Sequence, residues 1–132
     1  MNVRVYYEDT DAAGVVYHAN YLNFLERART EYLRDRGFSI AELAKSGAVF
    51  PVIRVELDFK SPACHDDLLS ILTRPMRVGG SSFVLHQQIR RDDKLLVDAY
   101  VTLACINDFH KPKRVPLEVR KILEQELPGI QP

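Results

Sequence analysis

The 132-residue chain has no tryptophan, only two cysteines and no net charge, since Lys+Arg and Asp+Glu each number 18. Each scarcity excludes something. A balanced charge gives no broad field for nucleic acid or an anionic membrane, although it leaves room for a local basic patch. It also removes one barrier to self-association. The cysteines, Cys64 and Cys105, form no C-x-x-C pair, and no leader-like segment precedes Val3. Reduced, buried thiols in a cytoplasmic protein are therefore expected. No apolar run approaches the roughly 20 residues needed to span a bilayer. Repeats, low-complexity tracts and linkers are also missing. One domain is expected over residues 1–132, and the 46% hydrophobic content is enough to give it a core.

The periodicity changes along the chain. VRVYYE, Val3 to Glu8, reads as a strand rich in β-branched and aromatic residues. From about Tyr21 to Arg36, Tyr21, Phe24, Leu25, Ala28 and Tyr32 recur at helical spacing on one apolar face. Asn20 or Asn23 is placed to cap this helix and Gly37 to end it. Ser39-Ile40-Ala41-Glu42 is a capping box for a short second helix that Gly47 stops. After Pro51 the period becomes two. Ile53, Val55, Leu57 and Phe59 alternate with Arg54, Glu56, Asp58 and Lys60, as in a strand with one buried face.

Leu68 to Val78 is a further strand, in which Pro75 marks an edge or a bulge. Gly79-Gly80 turns it into Ser82 to Arg91, and Asp92-Asp93 turns again into Leu95 to Asn107. A last amphipathic helix is expected from about Pro116 to Leu127. The plan is α+β: one strand, one long helix, then a four-stranded antiparallel meander. A sheet with one apolar face needs a cover, and the long helix carries the matching stripe.

The densest chemistry lies in YYEDTDAAGVVYHANY, Tyr6 to Tyr21. A calcium loop beginning at Asp9 would put Ala13 at position five and Asn20 at position twelve, where carboxylates are needed, so it fails. An aspartyl phosphohydrolase needs parallel strands with further acidic groups at their ends, whereas the later strands here form hairpins. The histidines His18, His65, His86 and His110 are scattered, and Cys64-His65 point apart on extended chain, so a zinc site is not indicated. His86 and the Cys64-His65 pair read as structural.

Asp9 and Glu8 taken singly read as turn-forming residues. The group offers more. Gly14 to Asn20 lead into the long helix, whose first N–H groups can bind an oxyanion. Asp11 and His18 lie beside those donors, and Gly14 lets the backbone approach a ligand closely. These are the parts of an acyl-transfer site.

This run, followed by L-x-F-x-E-R-A-R-T-E, resembles the hotdog-fold acyl-CoA thioesterases of the 4-hydroxybenzoyl-CoA thioesterase family. The similarity is strongest to their Tol-Pal-associated (YbgC-like) branch. It extends through V-x-L-x-F-x-S-P-A and K-P-x-R-x-P, with Ala13 where many relatives have glycine. The resemblance implies a five-stranded antiparallel sheet wrapped around one long helix. It also implies hydrolysis of an acyl-CoA thioester, short- to medium-chain or aryl, to the free acid and CoA.

The resemblance implies roles for single residues as well. Asp11 becomes the catalytic carboxylate, either general base or nucleophile. His18 is its companion, Tyr7 orients Asp11, and the backbone N–H near Tyr17 polarises the thioester carbonyl. Gly14 and Val16 become substrate contacts. Arg77, the Gly80-Ser81-Ser82 turn, Lys111, Lys113 and Arg114 become candidates for the CoA phosphates. No metal and no cofactor beyond the substrate's own coenzyme A are implied. The carrier is left open between coenzyme A and acyl carrier protein, and a homo-oligomer, dimer or tetramer, is implied, with sites at subunit boundaries. The competing readings are a non-catalytic acyl-binding protein at a lipid or envelope assembly, and a hotdog dehydratase whose helix-borne histidine–acid pattern is not evident here.

Overall fold

The computed structural model describes residues 1–129. Its elements in chain order are β1 (Asn2–Arg4), a 3-10 turn (Tyr7–Asp9), α1 (Asn20–Asp35), α2 (Ile40–Lys45), β2 (Val52–Phe59), β3 (Leu68–Val78), β4 (Ser82–Arg91), β5 (Lys94–Ala104) and α3 (Leu117–Gln125). The five strands form one antiparallel sheet in the order β1-β3-β4-β5-β2. This is the α+β hotdog plan.

The apolar stripe of α1 is buried as expected, through Tyr21, Phe24, Leu25, Ala28 and Tyr32, and Leu33 joins it. Two apolar groups fill the space between helix and sheet. One gathers Tyr21, Phe24, Leu25 and Ala28 against Leu69, Ile71, Ile89 and Val97. The other gathers Tyr32 and Leu33 against Phe83, Leu85, Val101 and the α3 residues Val119 and Leu123. Gly37, at φ 91°, ends α1 in a left-handed conformation that only glycine adopts at no steric cost.

Four local expectations are corrected. The first strand stops at Arg4, because the Asp9 carboxylate accepts the Tyr6 N–H (2.8 Å) and the Asp9 N–H donates to the Tyr6 carbonyl (3.0 Å), curling the chain into a turn. The cap of α1 is Ala19, without a side-chain bond. Asn20 instead donates to Asp9 Oδ1 (2.6 Å) and accepts from Asn23. The meander holds for β3, β4 and β5 only. β2 crosses to the far edge, beside β5.

The β2 face expected to be buried is largely open. Ile53 is 61% exposed and Phe59 55%, and Leu57 is the β2 residue that packs into the core cluster. An edge strand has a neighbour on one side only, and α1 meets it at its end, where the Tyr21 ring lies 5.6 Å from that of Phe59. Pro75 satisfies both of its readings: β3 bulges between Pro75 and Arg77, and β1 pairs only with Leu68–Ser70, so the rest of that edge lacks a β1 partner.

Candidate active site

The loop between the first turn and α1 is fixed from inside by one acid. Asp9 is 7% exposed, and its carboxylate binds the Tyr6 N–H and the Asn20 amide. Its backbone carbonyl accepts the Tyr17 N–H at 2.9 Å. One residue thus ties the turn, the loop and the start of α1 together, and truncating its side chain would leave two donors, the Tyr6 N–H and the Asn20 amide, short of partners.

Asp11 lies at the loop's outer bend and is exposed. Its Oδ1 accepts the Ala13 N–H at 2.8 Å, and its backbone carbonyl accepts the Gly14 N–H at 3.0 Å. Gly14 makes this bend possible at φ 81°. With Oδ1 held, Oδ2 has no hydrogen-bond donor among the described residues.

The second wall is the segment after β2. The Ala63 carbonyl accepts the Val16 N–H (2.8 Å), and the Ala63 N–H donates to the Tyr21 hydroxyl (3.0 Å). Burial pushes the Tyr21 hydroxyl up from its ordinary pKa, against the Ala63 N–H that favours the charged form. Further along, Asp67 accepts the Cys64 N–H (2.8 Å) and Arg91 (2.7 Å). Burial works against ionisation of Asp67, but these two donors outweigh it and hold the carboxyl below its ordinary range. The S-P-A motif therefore has a structural task. It is a short stay between strand and loop that sets the spacing of the cleft.

Between the walls is a cleft of about 320 Å³ lined by Asp11, Val15, Val16, His18, Tyr21, Phe59, Lys60, Ser61 and Pro62. Asp11, His18 and Val16 are thus brought together, and Gly14, in the bend that carries Asp11, is not part of the lining. Tyr21, Phe59, Lys60, Ser61 and Pro62 were not singled out in the sequence. The alternation of β2 and the break at Ser61-Pro62 were visible there, but which loop they would face was not.

Two expected roles differ from the geometry. The Tyr17 N–H is spent on Asp9, whereas no backbone carbonyl among the described residues accepts from His18 or Ala19, the next two N–H groups before α1. The free donors are shifted by one residue because Asp9 draws the loop inward. Tyr7 does not hydrogen-bond Asp11. Its ring stacks on His65, with centroids 3.7 Å apart and planes within 8°. The Tyr17 ring instead lies tilted beside His18, at 4.6 Å.

The remaining candidates lie elsewhere. Arg77 is on the outer sheet face, in a groove with Arg54, Glu56 and Tyr100. Gly80, Ser81 and Ser82 form the β3–β4 hairpin, which is sewn to the segment before α3. Val115 and Arg120 donate to the Gly80 carbonyl (3.0 Å each), and Cys105 donates to that of Ser81 (2.7 Å). Arg114 Nη1 lies 3.9 Å from where a Cβ on Gly80 would stand, and Lys113 Nζ 3.7 Å from one on Gly47. Pairing fixes which end of the sheet this is: Ser82 faces Ala104 and Val52 faces Leu103, while Phe59, at the cleft, faces Val97. Seven residues of extended strand separate the two ends, about 23 Å. One chain does not bring the basic candidates to Asp11.

His86 is buried on the outer face, bonded to Asp98 (2.6 Å) and stacked on Tyr100. His65 serves as the stacking partner of Tyr7. Among the described residues no three His, Cys, Asp or Glu side chains gather as a metal site would require, and no helix is long and apolar enough to cross a membrane.

Comparison with known proteins follows the same lines. The thioesterase superfamily (4HBT) matches residues 13–97. An acyl-CoA thioester hydrolase, YbgC, of Escherichia coli O6:H1 is 43% identical over 119 residues, 89% of each chain. The acyl-CoA thioesterase YbgC of Haemophilus influenzae is 44% identical over 120 residues, 89% of this chain and 88% of that one. The crystal structure of a probable thioesterase from Bartonella henselae superposes with a TM-score of 0.84 at 45% identity, covering 88% of this chain and 97% of that one.

Proposed function

The chain belongs to the thioesterase superfamily, and from that premise we propose that it hydrolyses acyl-CoA thioesters to the free acid and CoA at the Asp11 cleft. The observation that carries this reading is a carboxylate with one free oxygen, set beside unpaired N–H groups at the start of a long helix and facing the apolar Tyr21–Phe59 wall.

The thioester carbonyl oxygen is received by the N–H groups of His18 and Ala19, where the positive end of the α1 dipole adds to them. Charge develops on that oxygen as the carbonyl carbon becomes tetrahedral. One well-aimed donor is worth roughly 3–4 kcal/mol at such a point. Asp11, held through Oδ1, presents Oδ2 either to a water that it deprotonates or to the carbonyl carbon itself, forming an anhydride that water then opens. His18 is placed to orient water or to protonate the departing sulfur. Because a thiolate leaves far more readily than an amine or an alkoxide, acid help at the sulfur matters less than oxyanion stabilisation. Tyr7 and Tyr17 shape the loop through ring contacts.

A homodimer completes the site in this reading. The β2 edge is apolar and open at Ile53, Val55 and Phe59. Antiparallel pairing of two β2 edges about a two-fold axis extends the sheet and covers that face. It also lays the Val52 end of one chain against the Phe59 end of the other. The partner subunit's Lys111, Lys113, Arg114 and hairpin then approach Asp11, and the CoA phosphates bridge the two chains. Cys105 is buried as expected and Cys64 is exposed, contrary to expectation; both are unpaired, which accords with a cytoplasmic setting.

The test is a panel of CoA thioesters, from acetyl to decanoyl plus benzoyl, assayed by release of free thiol. Turnover of at least one member by the wild type and its loss in Asp11→Asn support the reading. No turnover of any member would instead favour an acyl-binding role.

A further inference from the structure

The β5–α3 connection holds a side chain that the mechanism does not use. Phe109 is 81% exposed, more than any other large apolar side chain among the described residues. A single exposed apolar residue is unremarkable on a loose loop. This loop is not loose. The Asn107 side chain accepts the N–H groups of Phe109 (2.9 Å) and Lys111 (3.1 Å). The Asn107 N–H donates to the Lys111 carbonyl (2.9 Å) and the His110 N–H to the Asn107 carbonyl (3.0 Å). His110 takes φ 59°, a left-handed conformation that lets the tip close. Four hydrogen bonds thus hold an aromatic ring out in water.

The surroundings are cationic. Lys111, Lys113 and Arg114 follow within five residues, and none takes part in an ion pair among the described residues. Asp108 is the one acid on the tip. An aromatic platform held on the same short segment as unpaired cations suits a nucleotide, with the base stacked on the ring and the phosphates on the basic side chains. The ring loses little conformational freedom on binding, because its backbone is already fixed.

We propose that Phe109 is a stacking platform for the adenine of the substrate's coenzyme A, and that this loop makes the enzyme select nucleotide-bearing thioesters over those carried on a bare phosphopantetheine arm, as in acyl carrier protein. The inference rests on the thioesterase reading but concerns a different end of the substrate. Base stacking on an aromatic side chain corresponds to roughly a 10- to 100-fold change in binding. Phe109→Ala should therefore raise KM for hexanoyl-CoA by about that factor at unchanged kcat. It should leave KM for hexanoyl-pantetheine, which lacks the nucleotide, as in the wild type, and Phe109→Trp should keep the wild-type KM for hexanoyl-CoA.

Adenosine 3′,5′-bisphosphate, titrated calorimetrically into the wild type and Phe109→Ala, reads the same contact without catalysis. Binding to the wild type that Phe109→Ala weakens by the same factor supports the proposal even if no ester is hydrolysed. Equal KM changes on both esters, unchanged nucleotide binding in Phe109→Ala, or a fall in assembly mass in that variant would overturn it, the last by showing that the ring belongs to a subunit contact. Failure of the wild type to hydrolyse either ester would count against the thioesterase reading alone.

Discussion

The two ends of the sheet differ in chemistry. At one, Asp9 gathers three polar groups and presents Asp11, His18 and two free N–H groups over an apolar wall. At the other, about 23 Å away along β2, a braced hairpin and a tight loop carry unpaired cations and an exposed phenyl ring. The first end has the carboxylate and donors that the proposed hydrolysis needs and little to hold a polyphosphate. The second has the reverse. The open apolar edge of β2 runs between them, so a partner paired antiparallel along it would join unlike ends. The separation of the two ends is set by topology: β2 crosses to the far edge, beside β5.

The comparison can be broken most severely at the acid. Asp11→Asn keeps an oxygen for the Ala13 N–H and so keeps the loop, but removes the base or nucleophile. Turnover should fall roughly 10²–10⁴-fold with an unchanged melting curve. Next, Ile53→Glu places a charge on the open edge. The side chain is 61% exposed in one chain, so monomer stability should stay within about 0.5 kcal/mol. Sedimentation should nevertheless show loss of the dimer, with activity falling in proportion to the dimer lost.

Much of this plan was legible in the sequence. The stripe Tyr21, Phe24, Leu25, Ala28, Tyr32 recurs at helical spacing, and all five residues are buried. The turns at Gly79-Gly80 and Asp92-Asp93 separate β3, β4 and β5 where expected, although β5 ends at Ala104 and not at Asn107. Periodicity could not say which neighbour β2 would choose, because alternation records a face and not a partner. It could not show that this face lacks a cover within one chain. In the loop, the density of acids and the position of His18 were visible. That Asp9 would consume the Tyr17 N–H, and that Tyr7 would stack on His65, follow from three-dimensional closure and leave no trace in spacing.

Smaller effects sharpen the picture. Asp9→Ala should destabilise the chain by about 1–3 kcal/mol through the donors it strands, read as a lower midpoint in urea, with activity lost chiefly by displacement of Asp11. Glu126 probes the other end without touching either half-site. Its ion pair with Arg36 holds its carboxyl below the ordinary range, against burial and with help from the Tyr32 hydroxyl. A depressed carboxyl contributes stability that is fully present above its ordinary pKa of about 4 and is lost as pH falls through its folded value. Glu126→Gln should therefore flatten the fall in Tm below about pH 4 and leave the pH–rate profile unchanged. Tyr7→Phe should matter least. The stack on His65 needs only the ring, so kcat/KM should change by less than about 2-fold.

In the proposed dimer each site takes Asp11 from one chain and the basic end from its partner. Mixing two defective proteins tests it directly. Asp11→Asn and the triple variant Lys111→Ala/Lys113→Ala/Arg114→Ala are each assayed alone at low acyl-CoA, then after joint unfolding and refolding in equal amounts. Half of the resulting dimers pair the two variants, and each of these carries one site with both lesions and one with none. Recovery of about one quarter of wild-type activity is expected. A mixture no more active than the sum of its two components would contradict it, because every site would then lie within a single chain.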